Sequence, residues 1–303
     1  MKRNQTIFPI SANDYRLALT RSVREALRED IGTGDLTCEA LDLRGQRGQA
    51  HLLAKQSGVL AGADAFAACF RLLDRNAKIS WRFRDGAIFK PGEIVATVRA
   101  KSAAILSAER SAINFIAHLS GIATATHRLV SKLPRGGRTR LLDTRKTLPG
   151  LRMLEKRAAR LGGACNHRIG LFDALMIKDN HIAALGDLAG AVAGARRGQG
   201  RHRLICEVAT MPEIEGALRG GVRWLLLDNF TAIHLQRAVK FIRDFERREE
   251  THVICEASGS IGERNIAAFA RTGVDYVSVG RITHSAPAVD FSLQWAAQVK
   301  TGR

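Results

Sequence analysis

The residues best suited to chemistry recur through the second half of the chain. Arg145, Lys146, His167, Arg168 and Lys178 are basic, Glu207 and Asp228 are acidic, and Ser258-Gly259-Ser260 and Val279-Gly280-Arg281 are short glycine-containing segments. Arginine can grip a carboxylate or phosphate through two parallel N–H bonds, and lysine adds a compact charge. Several such cations on one face imply a ligand with several negative charges. The two acids could orient ribose hydroxyls, hold Mg2+ through water, or stabilise positive charge developing at a sugar carbon. A glycine without Cβ lets backbone N–H groups approach a phosphate closely. Together these types suit a phosphorylated sugar substrate handled with Mg2+. They do not by themselves name a reaction.

The spacing of these residues follows from the elements that must carry them. From about Arg140 onward, short apolar runs alternate with helical stretches: Leu141-Leu142, Ala174 to Ile177, Leu204 to Val208, Trp224 to Leu227, Val253 to Ile254, and Tyr276 to Val279. Successive runs lie roughly 20 to 35 residues apart, the length of a βα unit. Continuous apolar runs of this kind suit parallel strands buried on both faces. Helices are predicted after Pro149-Gly150, over 212–219, 232–248 and 264–271. Each run is followed by polar, charged or glycine residues: Asp143-Thr144-Arg145-Lys146, Lys178-Asp179-Asn180-His181, Glu207, Asp228-Asn229, Glu256-Ala257-Ser258-Gly259, and Gly280-Arg281. An α/β barrel keeps its catalytic groups at the carboxyl ends of its strands, and a doubly wound sheet does likewise at its switch point. Polar groups after every run favour the barrel. Six runs instead of eight predict an open, incomplete one, and the two glycine segments after its last strands match the usual barrel phosphate site.

Residues 1–115 read as a smaller N-terminal α+β domain. Tyr15 to Glu29 and Ala63 to Leu73 are predicted helices, and 48–58 and 79–98 are strand-like with turns at Asp85-Gly86 and Pro91-Gly92. A long helix is expected to start at Ser107 as N-cap, with Glu109 in its first turn. Residues 116–286 then form the barrel domain, and the tail 287–303 is expected to return to the first domain.

Bulk properties exclude several classes. With 303 residues, 46% of them hydrophobic, the chain can bury a sizeable core. No apolar stretch approaches the roughly 20 residues of a membrane span, and Met1 to Pro9 show no secretory h-region. Five cysteines, odd in number and without a C-x-x-C pair, argue against a disulfide framework or zinc site, so the chain reads as cytoplasmic. Cys206 and Cys255 read as small core residues. The net charge of +18 attracts nucleic acid, acidic membrane surfaces or small polyanions alike. Aromatic residues are only 6%, no RRM, KH or zinc-finger pattern occurs, and bases mix with acids from Arg243 to Glu250, all against nucleic acid.

Several segments resemble the quinolinate phosphoribosyltransferase family. These are Asp-Thr-Arg-Lys-Thr-Leu-Pro-Gly-Leu-Arg (143–152), Asn-His-Arg-Ile-Gly-Leu (166–171), Ile-Lys-Asp-Asn-His-Ile (177–182), Leu-Leu-Asp-Asn-Phe (226–230) and Glu-Ala-Ser-Gly-Ser-Ile (256–261). Upstream, residues 28–37 and Glu-Arg-Ser-Ala-Ile-Asn-Phe (109–115) are similar as well, so the likeness covers nearly the whole chain in order. The resemblance implies an N-terminal sandwich, an open α/β barrel, and a homodimer with shared active sites. It implies formation of nicotinate mononucleotide, CO2 and pyrophosphate from quinolinate and phosphoribosyl pyrophosphate with Mg2+. Carried over by position, Thr144, Arg145, Lys146, His167, Arg168 and Lys178 form the pocket for the quinolinate carboxylates and pyrophosphate. Arg110 is lent by the partner subunit, Glu207 and Asp228 serve ribose and Mg2+, and Ser258, Gly259, Ser260, Val279, Gly280 and Arg281 form phosphate loops. Lys146, Lys178, Glu207 and Asp228 carry the catalysis. The chain departs from the family at Ala209, Ser260 and Arg281. The rival readings are a molybdenum-transport-associated paralogue, a non-catalytic sugar-phosphate sensor, and a nucleic-acid binder.

Overall fold

A computed structural model describes residues 7–43 and 45–296. The expectations for the chain start and for the end of the tail fall partly on residues 1–6 and 297–303, outside the described residues. The chain divides into two compact units that interleave in sequence. One comprises 10–127, 147–162 and 283 onward; the other comprises the start of the chain to Pro9, Arg128–Lys146 and Gly163–Ile282.

The first unit begins with α1 (Ala12–Ile31), capped by Ser11, whose hydroxyl accepts from the amide of Asp14. The helix buries Tyr15, Leu19, Val23 and Leu27, one face at helical spacing. A short α2 (Leu36–Ala40) is capped by Asp35, then come β1 (Arg47–Ala54), β2 (Gly58–Val59), α3 (Ala63–Leu73), β3 (Lys78–Trp81), β4 (Ile88–Phe89) and β5 (Ile94–Lys101). β1 alternates partly exposed and buried positions, as a strand packed on one face should. It lies between β5 and a strand from the far end of the sequence, Phe291–Trp295, in an antiparallel four-stranded sheet.

α4 (Ser102–Ser131) runs 30 residues. It starts five residues before the expected cap at Ser107. Apolar Ala104, Ile105 and Ala108 already lie buried at helical spacing ahead of and around that serine, so the helix is nucleated upstream. The Ser107 hydroxyl instead donates to Asp35, at 2.8 Å.

The second unit holds a six-stranded sheet. β6 (Arg140–Leu142) is followed in sequence by α5 (Arg152–Leu161), which belongs to the first unit. Then come β7 (Ala174–Ile177), α6 (Asp179–Leu185), α7 (Leu188–Gly198), β8 (Arg203–Val208), α8 (Met211–Arg219), β9 (Trp224–Asp228), α9 (Ala232–Arg248), β10 (Ile254–Ser258), α10 (Ile266–Arg271), β11 (Tyr276–Ser278) and α11 (Arg281–His284), with β12 (Phe291–Trp295) completing the first sheet. The strand order is β6-β11-β10-β9-β8-β7, all pairs parallel. β6 and β7 are the two ends of this order, which is the open barrel expected. A single parallel bridge, Leu142 to Cys165, extends the β6 edge.

The inward face changes character along the strands. Leu142, Ala174, Ile205, Trp224 and Leu226 form one buried apolar cluster with Phe8, joined by Met176, Ile254 and Tyr276. Phe8, from the chain start, thus fills the barrel floor. Burying one such ring stabilises by roughly 2–3 kcal/mol. Cys206 and Cys255 are buried on the strands, and burial pushes both thiols up to about 12.

Candidate active site

The carboxyl ends of adjacent strands bring most of the candidate residues together. Lys178 directly follows β7, Glu207 lies near the end of β8, and the Lys178 ammonium donates to the Glu207 carboxylate. Asp228 ends β9 and is abreast of Ser258, which ends β10. The amide of Asn229 donates to the Ser258 carbonyl at 3.0 Å, and its side-chain amide donates to Asp228 Oδ2 at 2.7 Å. The two strand ends are therefore tied side by side.

Glycines allow the loops to converge. Gly259 has φ +126°, and a Cβ there would lie 2.6 Å from Asn229 Oδ1. Any side chain would displace the neighbouring strand end. Ser260 is exposed, and its carbonyl accepts from Asn265 Nδ2. At Gly280 a Cβ would meet Lys146 Cδ at 2.7 Å and Thr144 Oγ1 at 3.2 Å, so this glycine makes room for the loop after β6. Thr144 Oγ1 accepts from the Lys146 amide at 3.0 Å. Val279 contributes backbone only: its side chain is buried and its amide donates to Leu142. Arg281 is exposed and lies along the loop after β10, its Nη1 being 3.2 Å from where a Gly262 Cβ would stand.

His167 and Arg168 are buried, not on the rim. Asp143, fully buried, accepts from the His167 amide at 2.8 Å and from Asn166 Nδ2 at 2.6 Å. Arg168 Nη1 donates to the Ala174 carbonyl at 3.0 Å, and burial, then the like charge of Arg145, push its guanidinium below the usual range. Two arginines close enough to repel each other gain when an anion comes between them.

Arg110 is on α4 in the other unit. It is exposed and lines a cleft of about 710 Å3 together with Arg21, Glu25 and Glu29 of α1 and His118 of α4. His118 Nε2 is 2.8 Å from Glu155, whose second oxygen accepts from the Leu148 amide at 3.2 Å.

Sequence reasoning assigned no role to Asp143, Trp224 or Glu256. A signal for Glu256 was present: it lies two residues before Ser258 on the same strand, and side chains two apart share a face. Register places Glu256 abreast of Leu226, and Leu226 abreast of Glu207.

Among the described residues, no group of three or more His, Cys, Asp or Glu side chains could hold a metal ion. Glu207 and Asp228 are separate carboxylates on neighbouring strands. That donor set suits Mg2+, which usually keeps several waters and binds through one or two carboxylates plus substrate phosphates.

A parallel α/β barrel whose strand ends carry cations, two acids and paired glycine turns defines an enzyme-type site for a phosphorylated, multiply anionic substrate. The comparisons give the family. The quinolinate phosphoribosyl transferase N-terminal and C-terminal domain models match residues 35–120 and 122–294. The chain is 39% identical over 278 residues to a probable nicotinate-nucleotide pyrophosphorylase [carboxylating] of Bacillus subtilis, covering 91% of this chain and 93% of that one. It is 35% identical over 292 residues to quinolinate phosphoribosyltransferase [decarboxylating] 1b of Nicotiana tabacum, covering 90% and 81%. The solved nicotinate-nucleotide pyrophosphorylase of Francisella tularensis superposes with a TM-score of 0.86 at 37% identity, over 97% of this chain and 100% of that one. The chain belongs to the quinolinate phosphoribosyl transferase family.

Proposed function

We propose that the protein joins quinolinate to phosphoribosyl pyrophosphate and releases CO2, forming nicotinate mononucleotide and pyrophosphate in NAD synthesis. The observation that carries this reading is the convergence of Lys178, Glu207, Asp228 and Ser258 on the ends of four neighbouring strands in a chain of this family. The quinolinate nitrogen forms a bond to the anomeric carbon as the bond from that carbon to pyrophosphate breaks. Positive charge grows on the ribose and negative charge on the leaving group. Glu207 and Asp228 face the first; Lys146 and Lys178 face the second. The bond from the ring to the carboxylate beside the nitrogen then breaks. Its electrons remain on the ring carbon beside a cationic nitrogen, CO2 departs, and a proton from solvent completes the ring. The substrate stabilises its own carbanion, so the enzyme's task is positioning.

Arg145 and Arg168 hold the quinolinate carboxylates, and His167, whose two ring nitrogens are taken by the Arg168 amide and Glu256, supports them from beneath. Thr144, Ser258, Gly259, Ser260, Val279, Gly280 and Arg281 hold phosphate. Glu207 and Asp228 would hold Mg2+ indirectly, through water or substrate, and the ion would neutralise the leaving pyrophosphate. By sequence, residues 1–115 are assigned to the sandwich domain and 116–286 to the barrel domain, with 287–303 assigned to the first, although Phe8 packs in the barrel floor. The protein works in the cytoplasm as a homodimer in which Arg110 completes the partner's site. Five cysteines without a disulfide, and no helix among the described residues long and apolar enough to cross a membrane, support that setting.

The test is turnover. Purified protein with Mg2+ and phosphoribosyl pyrophosphate is given quinolinate or nicotinate, and nicotinate mononucleotide is measured by mass spectrometry. Product from quinolinate alone is expected; product from nicotinate alone would overturn the reading. The shared site has its own test. Arg110→Ala and Lys178→Ala subunits, each inactive alone, should regain activity when mixed, since one intact site forms per mixed dimer. Mixed dimers without activity would refute it.

A further inference from the structure

Beneath the rim, the barrel interior holds a buried acid that the reaction outlined above does not use. Glu256 is fully buried in the middle of β10. Its Oε2 lies 3.2 Å from His167 Nε2 and accepts from Trp224 Nε1 at 2.8 Å. On the other side of the imidazole, Nδ1 accepts from the Arg168 amide at 2.7 Å. A nitrogen that accepts an N–H bond carries no proton, so the ring's proton sits on Nε2 and points at Glu256. The ring is also held by its faces: Phe8 stacks at 5.8 Å with an interplanar angle of 15°, and Trp224 lies tilted at 5.8 Å.

The choice of acid at this position is informative. Burying a carboxylate is costly, and here its hydrogen-bond donors are an imidazole, a serine hydroxyl (Ser278) and an indole. A glutamine would match the same donors without that cost. It would also present an NH2 group, which could donate to His167 and turn the ring into the opposite tautomer. That tautomer would set Nδ1–H against the Arg168 N–H. A carboxylate is acceptor-only and permits one tautomer alone. The neighbouring backbone is fixed separately: Asp143 holds the His167 amide and the Asn166 side chain. Thus Asp143 sets the path of the chain and Glu256 sets the ring.

We propose that Glu256 is a positioning residue of the quinolinate subsite: it locks His167 in the Nε2–H form and so fixes the imidazole, and the Arg168 amide bonded to it, beneath the bound dicarboxylate. This rests on the proposed function for its substrate, but the pairing itself does not. Glu256 acts through His167 and touches no reacting atom. Its loss therefore weakens quinolinate binding and leaves the phosphate loops, two residues further along, in place.

Two variants and two readouts test this. Imidazole 15N spectra of the wild-type protein should show His167 as the Nε2–H tautomer alone, and Glu256→Gln should show a mixture. In steady-state kinetics, Glu256→Gln should raise KM for quinolinate about threefold and Glu256→Leu about tenfold or more, with KM for phosphoribosyl pyrophosphate unchanged and kcat little altered. The Gln variant is nearly isosteric and decides the matter if the Leu variant does not fold. A wild-type His167 protonated on Nδ1, or a pure Nε2–H tautomer with unchanged quinolinate KM in the Gln variant, would overturn the proposal. So would equal rises in both KM values, which indicate general distortion. A wild type that binds no quinolinate would contradict the proposed function instead, and the spectra would still decide the pairing.

Discussion

The rim and the buried interior of the barrel each hold an acid with a basic partner, and they treat charge in opposite ways. On the rim, Lys178 and Glu207 pair with their side chains 40% and 17% exposed. On the floor, His167 and Glu256 pair at 5% and 0%. An exposed pair is worth little to stability and exchanges readily for another partner. A buried pair is costly to break, because the survivor is left without compensation. The rim pair is therefore the one that a charged ligand can open. The floor pair is geometry that persists through turnover.

That contrast can be tested by substitution, beginning with the rim. Lys178→Ala should lower kcat/KM by about 10²- to 10³-fold, the usual loss on removing a group that stabilises developing charge. Its unfolding free energy should stay within about 1 kcal/mol of wild type in urea titration. Large destabilisation with modest kinetic loss would reverse the contrast. Asp143→Ala should show the opposite pattern. It leaves the buried His167 amide and Asn166 side chain without their acceptor, so unfolding free energy should fall by roughly 2–4 kcal/mol, read from the urea midpoint.

Arg281, which lies along the loop after β10, tests the rim more gently. Arg281→Ala should raise KM for phosphoribosyl pyrophosphate about threefold to tenfold and leave KM for quinolinate alone. Equal KM values in variant and wild type would place its charge in solvent. The smallest expected effect is one of pH. Burial acts to raise the Glu256 carboxyl, but the hydrogen bonds it accepts from His167, Ser278 and Trp224 outweigh it and hold it below the usual 4.5. A depressed folded value stabilises the native state above the unfolded value and is lost as pH falls through the folded one. The stability difference between wild type and Glu256→Gln should therefore shrink as pH drops below 4.5, measured by thermal unfolding across the acid range. A difference that grows toward low pH would contradict this.

The rim was largely legible in the sequence, because an apolar run broken by Lys178, Glu207 or Asp228 marks a strand end by composition alone. The floor was not. Glu256 follows Ile254 and Cys255, and an acid there reads as the end of the run. The strand in fact continues to Ser258, because the interior supplies His167 and Trp224 as partners that only the folded barrel brings together. The pairing of β12 with β1 joins residues from opposite ends of the sequence, which local pattern does not specify. α6 and α7 escaped notice for another reason. Residues 179–198 lack a broad apolar stripe, and α7 buries only Ala191 and Val192. The start of α4 was misplaced because Ser107 has the right type for a cap, while the buried residues around it already belong to the helix.

The most direct test of the account is the stoichiometry of the two products. Quinolinate labelled with 13C in the carboxylate beside the ring nitrogen is turned over with phosphoribosyl pyrophosphate and Mg2+, and labelled CO2 and nicotinate mononucleotide are measured together. The prediction is one CO2 for each mononucleotide in the wild type, and both products formed about 10²- to 10³-fold more slowly, still one to one, in Lys178→Ala. Mononucleotide that retains the label, or labelled CO2 released without phosphoribosyl pyrophosphate, would contradict it.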